Sequence, residues 1–381
     1  MASRWLCWCF GALALLPGQA ARAEWSGYAK SLWLGTETEV GQSEPVHLGI
    51  NRVRLTWRDK LAGVRVEASY DLDARFGSYV NTDQYRLQRS LMPEPYLGLQ
   101  RRSQRGARTE VYHGFYRIYA QTALGPADVR VGRQQLNWSR TLLWSSFDRF
   151  NPYSPLQLEP EERVGVDALQ LVWNFSNDRN LEWAWLPAHD QTPRMQGLRY
   201  RDHWGRSDWD FMLAEFGTVQ SIGLAGAGQW GSAGWRFEVT HNRETRMDDT
   251  SVTYQDLVLG VDHAITEKAS LVAELLYRGG GASRPEDYDW SGYLSGRRSD
   301  LARRYAGMIA RYRISPLIRL DLTVLANLDD GSLAWMPLLE LSPGSFENVN
   351  LRVGVQTFTG ASDTEFGRQK MLAFAEIKWF F

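Results

Sequence analysis

The sequence predicts an all-β protein: a transmembrane antiparallel up-and-down β-barrel of about 18 strands (16–18), preceded by a cleaved signal peptide. Three observations carry that expectation. The chain opens with an export leader. Most of the remainder alternates between apolar and charged residues over segments of about ten residues, the pattern of a barrel wall with one lipid-facing side. The connections between these segments sort by parity, short on one side and long on the other.

The leader comes first. Residues 1–23 read MASRWLCWCFGALALLPGQAARA, with Arg4 ahead of the apolar run Trp5 to Leu16 and a small-x-small site at Ala21-Arg22-Ala23. That run is too short to span a membrane as a helix and fits a secretory signal. Two regions are expected: 1–23 as signal peptide and 24–381 as outer-membrane β-barrel. Cys7 and Cys9, the two cysteines of the chain, both fall in the leader. The exported part therefore has neither disulfides nor thiolate metal ligands.

Composition agrees. Mean hydropathy is −0.40, yet the chain holds 17 Trp, 16 Tyr and 15 Phe. A polar lumen cancels an apolar exterior on average, and aromatics gather in two interfacial girdles. Lys and Arg number 43 against 44 Asp and Glu, which argues against a nucleic-acid binder.

Strands are expected at 24–36, 46–58, 61–73, 109–121, 126–136, 165–176, 180–187, 195–203, 207–217, 219–230, 233–243, 252–264, 267–279, 302–313, 316–328, 332–341, 347–358 and 368–381. In the second, Val53, Leu55 and Trp57 oppose Arg52, Arg54 and Arg58, and a turn is expected around Asp59-Lys60. In the third, Val64, Val66, Ala68, Tyr70 and Leu72 oppose Arg65, Glu67, Ser69 and Asp71. Gly223, Gly226 and Gly228 blur the period in 219–230. The three longest connections, 74–108, 137–164 and 280–301, all fall on the side away from the amino terminus of the barrel. Tyr28, Trp57, Tyr112, Trp183, Trp235 and Trp379 are the expected girdle residues.

In the final segment, MLAFAEIKWFF, every second residue back from Phe381 is apolar. This resembles the carboxy-terminal signal of outer-membrane β-barrel proteins. Ala375, Ile377, Trp379 and Phe381 occupy the positions that the barrel-assembly machinery reads in that family.

Eighteen strands enclose room for an aqueous channel, so passage of a hydrophilic solute is the expected function. The lumen candidates are Arg52, Arg54, Arg65, Arg133, Arg319 and Arg352. Rings of Arg favour anions; acids interspersed among these arginines instead allow cross-strand pairs that stiffen the wall. Segment 74–108 is lopsided, with Arg86, Arg89, Arg101, Arg102 and Arg105 among seven arginines against Asp83 and Glu94. An extracellular loop of that charge binds lipopolysaccharide phosphates or gathers an anionic solute.

Val131 to Trp173 stands apart. Gly132-Arg133-Gln134 ends a strand, and Trp138, Trp144, Phe147, Asn151 and Pro152 follow in an irregular stretch. It resembles porin-like families of the outer membrane, in particular the alginate-export family. Those proteins share a Gly-Arg-Gln strand end, a Trp and an Asn-Pro loop; Ser139 stands where they carry a glycine. The resemblance implies an eighteen-stranded barrel with an Arg-rich lumen that passes polyuronate or other anions. Trp138, Trp144, Phe147 and Asn151 are then the candidates for a loop that folds inward and narrows the pore.

Other classes leave fewer traces. His47, His113, His189, His203, His241 and His263 show no metal-ligand spacing, and no Gly-x-Ser-x-Gly occurs. No enzyme activity, cofactor or metal is expected. The alternative reading is a sleeve around a periplasmic or lipoprotein partner in an export or electron-transfer conduit. A rim-located hydrolase ranks below both. The expected surroundings are outer-membrane lipid and lipopolysaccharide.

Overall fold

The computed structural model describes residues 23–39, 43–91, 95–152, 154–159, 163, 165–189, 192–246, 248–294, 298–344 and 346–381. The expected signal peptide lies outside them, except for its last residue, Ala23. Among the described residues nineteen strands form one sheet with antiparallel neighbours. They are β1 (Glu24–Glu37), β2 (Pro45–Leu61), β3 (Val64–Phe76), β4 (Gln100–Arg105), β5 (Thr109–Leu124), β6 (Ala127–Gln134), β7 (Val166–Asn174), β8 (Asn180–Leu186), β9 (Met195–Trp204) and β10 (Ser207–Phe216). Then follow β11 (Val219–Trp230), β12 (Ala233–Thr245), β13 (Ser251–Ala264), β14 (Ala269–Arg278), β15 (Arg304–Ser315), β16 (Ile318–Asn327), β17 (Leu333–Leu341), β18 (Val349–Thr359) and β19 (Leu372–Phe380). Pairing of β1 with β19, from Tyr28↔Phe380 to Gly35↔Ala373, closes the sheet. Eighteen strands make the barrel. The extra one, β4, pairs with the outer half of β5 beyond the end of β6.

Closure removes the free edges that a flat sheet would expose. Just past the end of β19, Phe381 exchanges both backbone hydrogen bonds with Gly27 of β1, at 2.8 and 3.0 Å. The Phe381 ring covers Gly27, where a Cβ would lie 2.7 Å from it. Deleting Phe381 is expected to impair closure and assembly. Loss of the heat-modifiable folded band on gels would show it; a normal yield of folded barrel would refute it.

The connections confirm the asymmetry. On the side of Glu24 and Phe381 they are short: 62–63, 125–126, 175–179, 205–206, 231–232, 265–268, 316–317 and 342–348. On the other side 77–108, 135–165, 279–303 and 360–371 are long. Short periplasmic turns and long extracellular loops orient the barrel. The first turn falls at Ala62-Gly63 (φ 48° and 88°) and not at Asp59-Lys60. A two-residue hairpin matching the strand twist needs positive φ at both positions, and Gly63 supplies one at no steric cost. The long connections carry local structure, including α1 (Asp83–Leu91) and α2 (Trp290–Leu294). Thr82 accepts from the Tyr85 amide at 3.2 Å and so caps the start of α1.

The two faces of the wall are inverted relative to a soluble protein. Leu213 and Ile377, 56% and 48% exposed, belong to an outward apolar belt with Val53, Leu55, Leu72, Ile222, Leu259 and Leu275. Inward stand buried ionic groups such as Arg54, Asp71, Glu238 and Glu274. Rings crowd the periplasmic end of the belt, where Trp209 lies 6.0 Å from Trp204 and 6.2 Å from Trp235, which stacks on Phe237. Trp57, Trp183, Trp235 and Trp379 share the outward face, as do Ala375, Ile377 and Phe381. Tyr28 and Tyr112 do not. Tyr28 points inward, its ring 4.2 Å from Lys378 Nζ, and Tyr112 lies under Arg89 at 4.4 Å. Alternation fixes which residues share a face, but here both faces carry aromatics, so pattern alone does not say which one meets lipid.

Candidate functional site: the barrel lumen and its inserted segment

The connection between β6 and β7 enters the barrel and follows its inner wall. Its rings find room because the facing strands carry glycine or alanine. Trp138 lies against Gly197, Phe147 against Gly223 and Trp144 against Gly307, where a Cβ would come within 2.8, 2.7 and 2.6 Å. Trp138 and Phe147, with Leu136 and Phe150, pack on Ala184, Met212, Phe216 and Ala225. Leu143 and Trp144 pack on Val258, Leu276, Tyr305 and Leu325.

Two strand carboxylates hold the backbone of this segment. Glu238 Oε1 accepts from the amides of Arg140 (2.6 Å) and Thr141 (3.2 Å) and from the Ser139 hydroxyl (3.1 Å). Its Oε2 accepts from the amides of Ser146 (2.7 Å) and Phe147 (3.1 Å) and from the Ser145 hydroxyl (2.8 Å). Glu274 takes the amides of Leu142 (2.6 Å), Leu143 (2.8 Å) and Trp144 (3.3 Å). Irregular backbone inside a barrel lacks a ladder for its N–H groups; charged acceptors supply the strong form of the missing bond.

Side-chain pairs extend the attachment around the wall. Trp138 Nε1 donates to Glu182 at 2.8 Å. Arg140 reaches Asp210 (2.5 Å) and Asp208 (3.2 Å), and Arg149 reaches Asp256 (2.7 Å). Further on, Gln356 donates to the Leu156 carbonyl and Arg352 to that of Leu158, both at 2.8 Å, and Lys30 pairs with Glu159. The attachments thus run from β8 through β15 and on to β18 and β1, with the inner face of β2 and β3 outside them.

On the extracellular side of the segment lies a cavity of about 1620 Å³. Among the described residues ten arginines, eight carboxylates and six tyrosines line it. Its outer mouth carries Arg86 and Arg89 from α1 and Arg102 and Arg105 from β4. Arg101 belongs to the face of β4 opposite Arg102, and the register shift between Arg102 and Gln104 returns Arg105 to the side of Arg102. The loop arginines are therefore divided by the fold, most of those named from sequence facing the lumen.

The six arginines expected in the lumen do not form a ring of free charge. Arg54 makes two 2.6 Å bonds to Asp71 and lies 3.5 Å from the Tyr116 ring. Arg52 meets Asp73 at 2.6 Å. Arg133 makes two 2.9 Å bonds to Asp167, and Arg352 meets Glu376 at 3.4 Å. Arg319 pairs with Glu340 and Asp321 near the periplasmic end. Arg65 is exposed at that same end. Only Arg52 and Arg133 of the six line the cavity. Among the four inserted-loop candidates, Trp138, Trp144 and Phe147 are buried anchors, and Asn151 faces the cavity beside Asp148, Arg149 and Pro152.

Sequence reasoning missed the partners of the segment: Glu182, Gly197 and Gly307 drew no notice, Glu238 and Glu274 read only as charged residues on the polar faces of their strands, and Gly223 only as a blurred period. An acid or glycine on the inward parity of a strand was the visible signal, but nothing local says that it faces another segment rather than water.

Asp148 is fully buried in the segment, with Arg163 Nη1 3.5 Å away. Burial pushes its carboxyl up to about 7; Arg163 and the Asn151 amide act the other way, and Glu238 adds to the rise. An acid with a raised value favours the docked state fully below its undocked value, about 4, and that contribution is lost as pH rises toward 7. The displacement is worth up to about 4 kcal/mol. Current through the lumen is expected to be quieter at pH 5 than at pH 8, and Asp148→Asn to remove the difference. Equal pH dependence in the variant would refute the assignment. Among the described residues no three His, Cys, Asp or Glu side chains gather as a metal site.

A closed antiparallel barrel with an apolar belt, interfacial rings and a polar interior is a bacterial outer-membrane β-barrel. Solved structures of that class superpose on nearly the whole chain. OccK5 (OpdH) of Pseudomonas aeruginosa aligns at TM-score 0.62 and 10% identity, covering 96% of this chain and 99% of its own. OccAB1 of Acinetobacter baumannii aligns at 0.61 and 9%, covering 97% and 99%. OpdK of Pseudomonas aeruginosa, solved with vanillate, aligns at 0.57 and 9%, covering 96% and 100%. At these identities the likeness is one of fold. No protein-family model matches the chain, and no curated protein sequence matches it.

Proposed function

We propose that the protein is an outer-membrane channel, without enzymatic activity, for small hydrophilic solutes, and that it prefers anions. One observation carries this reading: a wide, Arg- and Tyr-lined vestibule lies at the extracellular side, with part of its wall formed by the inserted segment. Residues 148–152 of the segment line this vestibule together with Arg52, Asp71 and Asp73 of β2 and β3. Arginines at the mouth raise the local concentration of anions, and tyrosine rings offer stacking surface to an unsaturated or sugar ring. OpdK with vanillate, an aromatic carboxylate, supports that choice of solute class by analogy of fold.

A polyuronate chain, the solute implied by the alginate-export resemblance, suits this lumen less well than a monomer, because the inserted segment lies in the way. The same segment argues against a sleeve, since the space for a partner protein holds residues 138–152 and 154–159 of this chain. The test is block of single-channel current. Glucuronate or benzoate added at the vestibule side is expected to block saturably, and a tetraalkylammonium cation is not. Saturable block by the cation alone would overturn the anion preference.

A further inference from the structure

The outside of the barrel is not uniformly apolar near the extracellular rim. Strand register puts Leu213, Ile222, His241 and Gln255 in one row across β10–β13. The next row outward holds Glu215, Gln220, Arg243 and Thr253. A groove of about 520 Å³ runs across these rows on the lipid-facing side, with Leu213, Ile222 and His241 in its lower row and Gln220, Arg243 and Thr253 above.

The groove is amphiphilic, and its polar end is cationic. Arg243 is exposed, and no ion pair to it occurs among the described residues. Nearby acids are turned to other groups. Glu215 is held by Arg194 (3.2 Å) and Gln196 (3.0 Å). Glu244 lines the interior cavity, and Asp248 accepts from Thr250 at 2.6 Å. His241 has Gln255 Nε2 3.3 Å from its Nδ1. Below this level the outward residues are Phe211, Leu224, Val239 and Leu257, all apolar members of the outward belt.

We propose that this groove binds one phosphate-bearing lipid of the outer leaflet, a phosphorylated glycolipid of the lipid A type. An acyl chain lies over Leu213 and Ile222. The headgroup phosphate meets the Arg243 guanidinium, whose planar fork matches phosphate oxygens, with His241 and Gln220 alongside. The site relocates the lipid contact that the 74–108 arginines suggested, since most of those turn into the vestibule. It does not depend on what passes through the lumen.

Native mass spectrometry of the refolded protein in neutral detergent tests it, with diphosphorylated lipid A, phosphate-free lipid A and inorganic phosphate as separate probes. One diphosphorylated lipid per barrel is expected. His241→Gln/Arg243→Gln should weaken it about ten-fold or more, as loss of one to two surface cation contacts implies, while the heat-modifiable band shows the barrel intact. Equal binding of the phosphate-free lipid, or an unchanged affinity in the variant, would overturn the proposal. So would displacement of the lipid by equimolar inorganic phosphate, which would mark a simple anion site.

Discussion

Glu238→Gln/Glu274→Gln is expected to release the inserted segment and enlarge the current through the barrel while the barrel itself stays folded. Both oxygens of Glu238 face N–H or O–H donors, so a glutamine must point its NH₂ at donors whichever way it turns. Each buried amide left without an acceptor costs about 1–3 kcal/mol. At least three amides lose their acceptor in the two substitutions together, about 3–9 kcal/mol in all, a range that spans the roughly 5.5 kcal/mol that moves a two-state equilibrium from one extreme to the other. The wall hydrogen bonds are untouched, so heat-modifiability should persist. Single-channel recordings should show a larger, noisier conductance. An unchanged, quiet conductance from folded variant protein would mean that the segment does not set the width of the passage.

The second large effect concerns capture. Arg86→Glu/Arg89→Glu/Arg105→Glu reverses the sign of the outer mouth without touching the segment's anchors. Steering by a charged cleft raises association rates by about ten-fold to a thousand-fold. The on-rate of glucuronate block is expected to fall by about ten-fold or more at low salt. The difference from wild type should shrink at high ionic strength, where the screening length drops to about 3 Å. A block rate that is the same in both proteins, or a difference insensitive to salt, would remove these arginines from solute gathering.

Much of the fold was legible in the sequence, because a barrel wall repeats one simple pattern and adjacent strands must share it. Val53-Arg54-Leu55 and Val64 to Leu72 alternate clearly, and the length asymmetry of the connections oriented them. What escaped had no such repetition. In β4, Gln100 to Arg105, polar residues occupy both faces, so no period marks it as a strand. Tyr28 sits on a strand whose inward parity also carries Leu32, and the pattern could not choose between lumen and lipid. The site was harder still. Gly132, Arg133, Trp138 and Asn151 drew attention to the right segment, yet its rings proved to be anchors, and the acids that hold it stand about ninety to one hundred and thirty residues further along the chain. Such pairings follow from closure of the barrel, which brings β12 and β14 opposite a segment that the local sequence cannot connect to them. The arginines show the same limit. Residue type marked Arg52, Arg54 and Arg133 as charged wall, but their partners Asp73, Asp71 and Asp167 decide how much of that charge a solute can feel.

The most direct test is to place the refolded protein in a planar bilayer under a potassium chloride gradient and record single-channel conductance and reversal potential. A steady, modest conductance with a reversal potential on the chloride side is the expected result. No conductance from barrels shown to be folded, or a reversal potential on the potassium side, would contradict an anion-preferring channel.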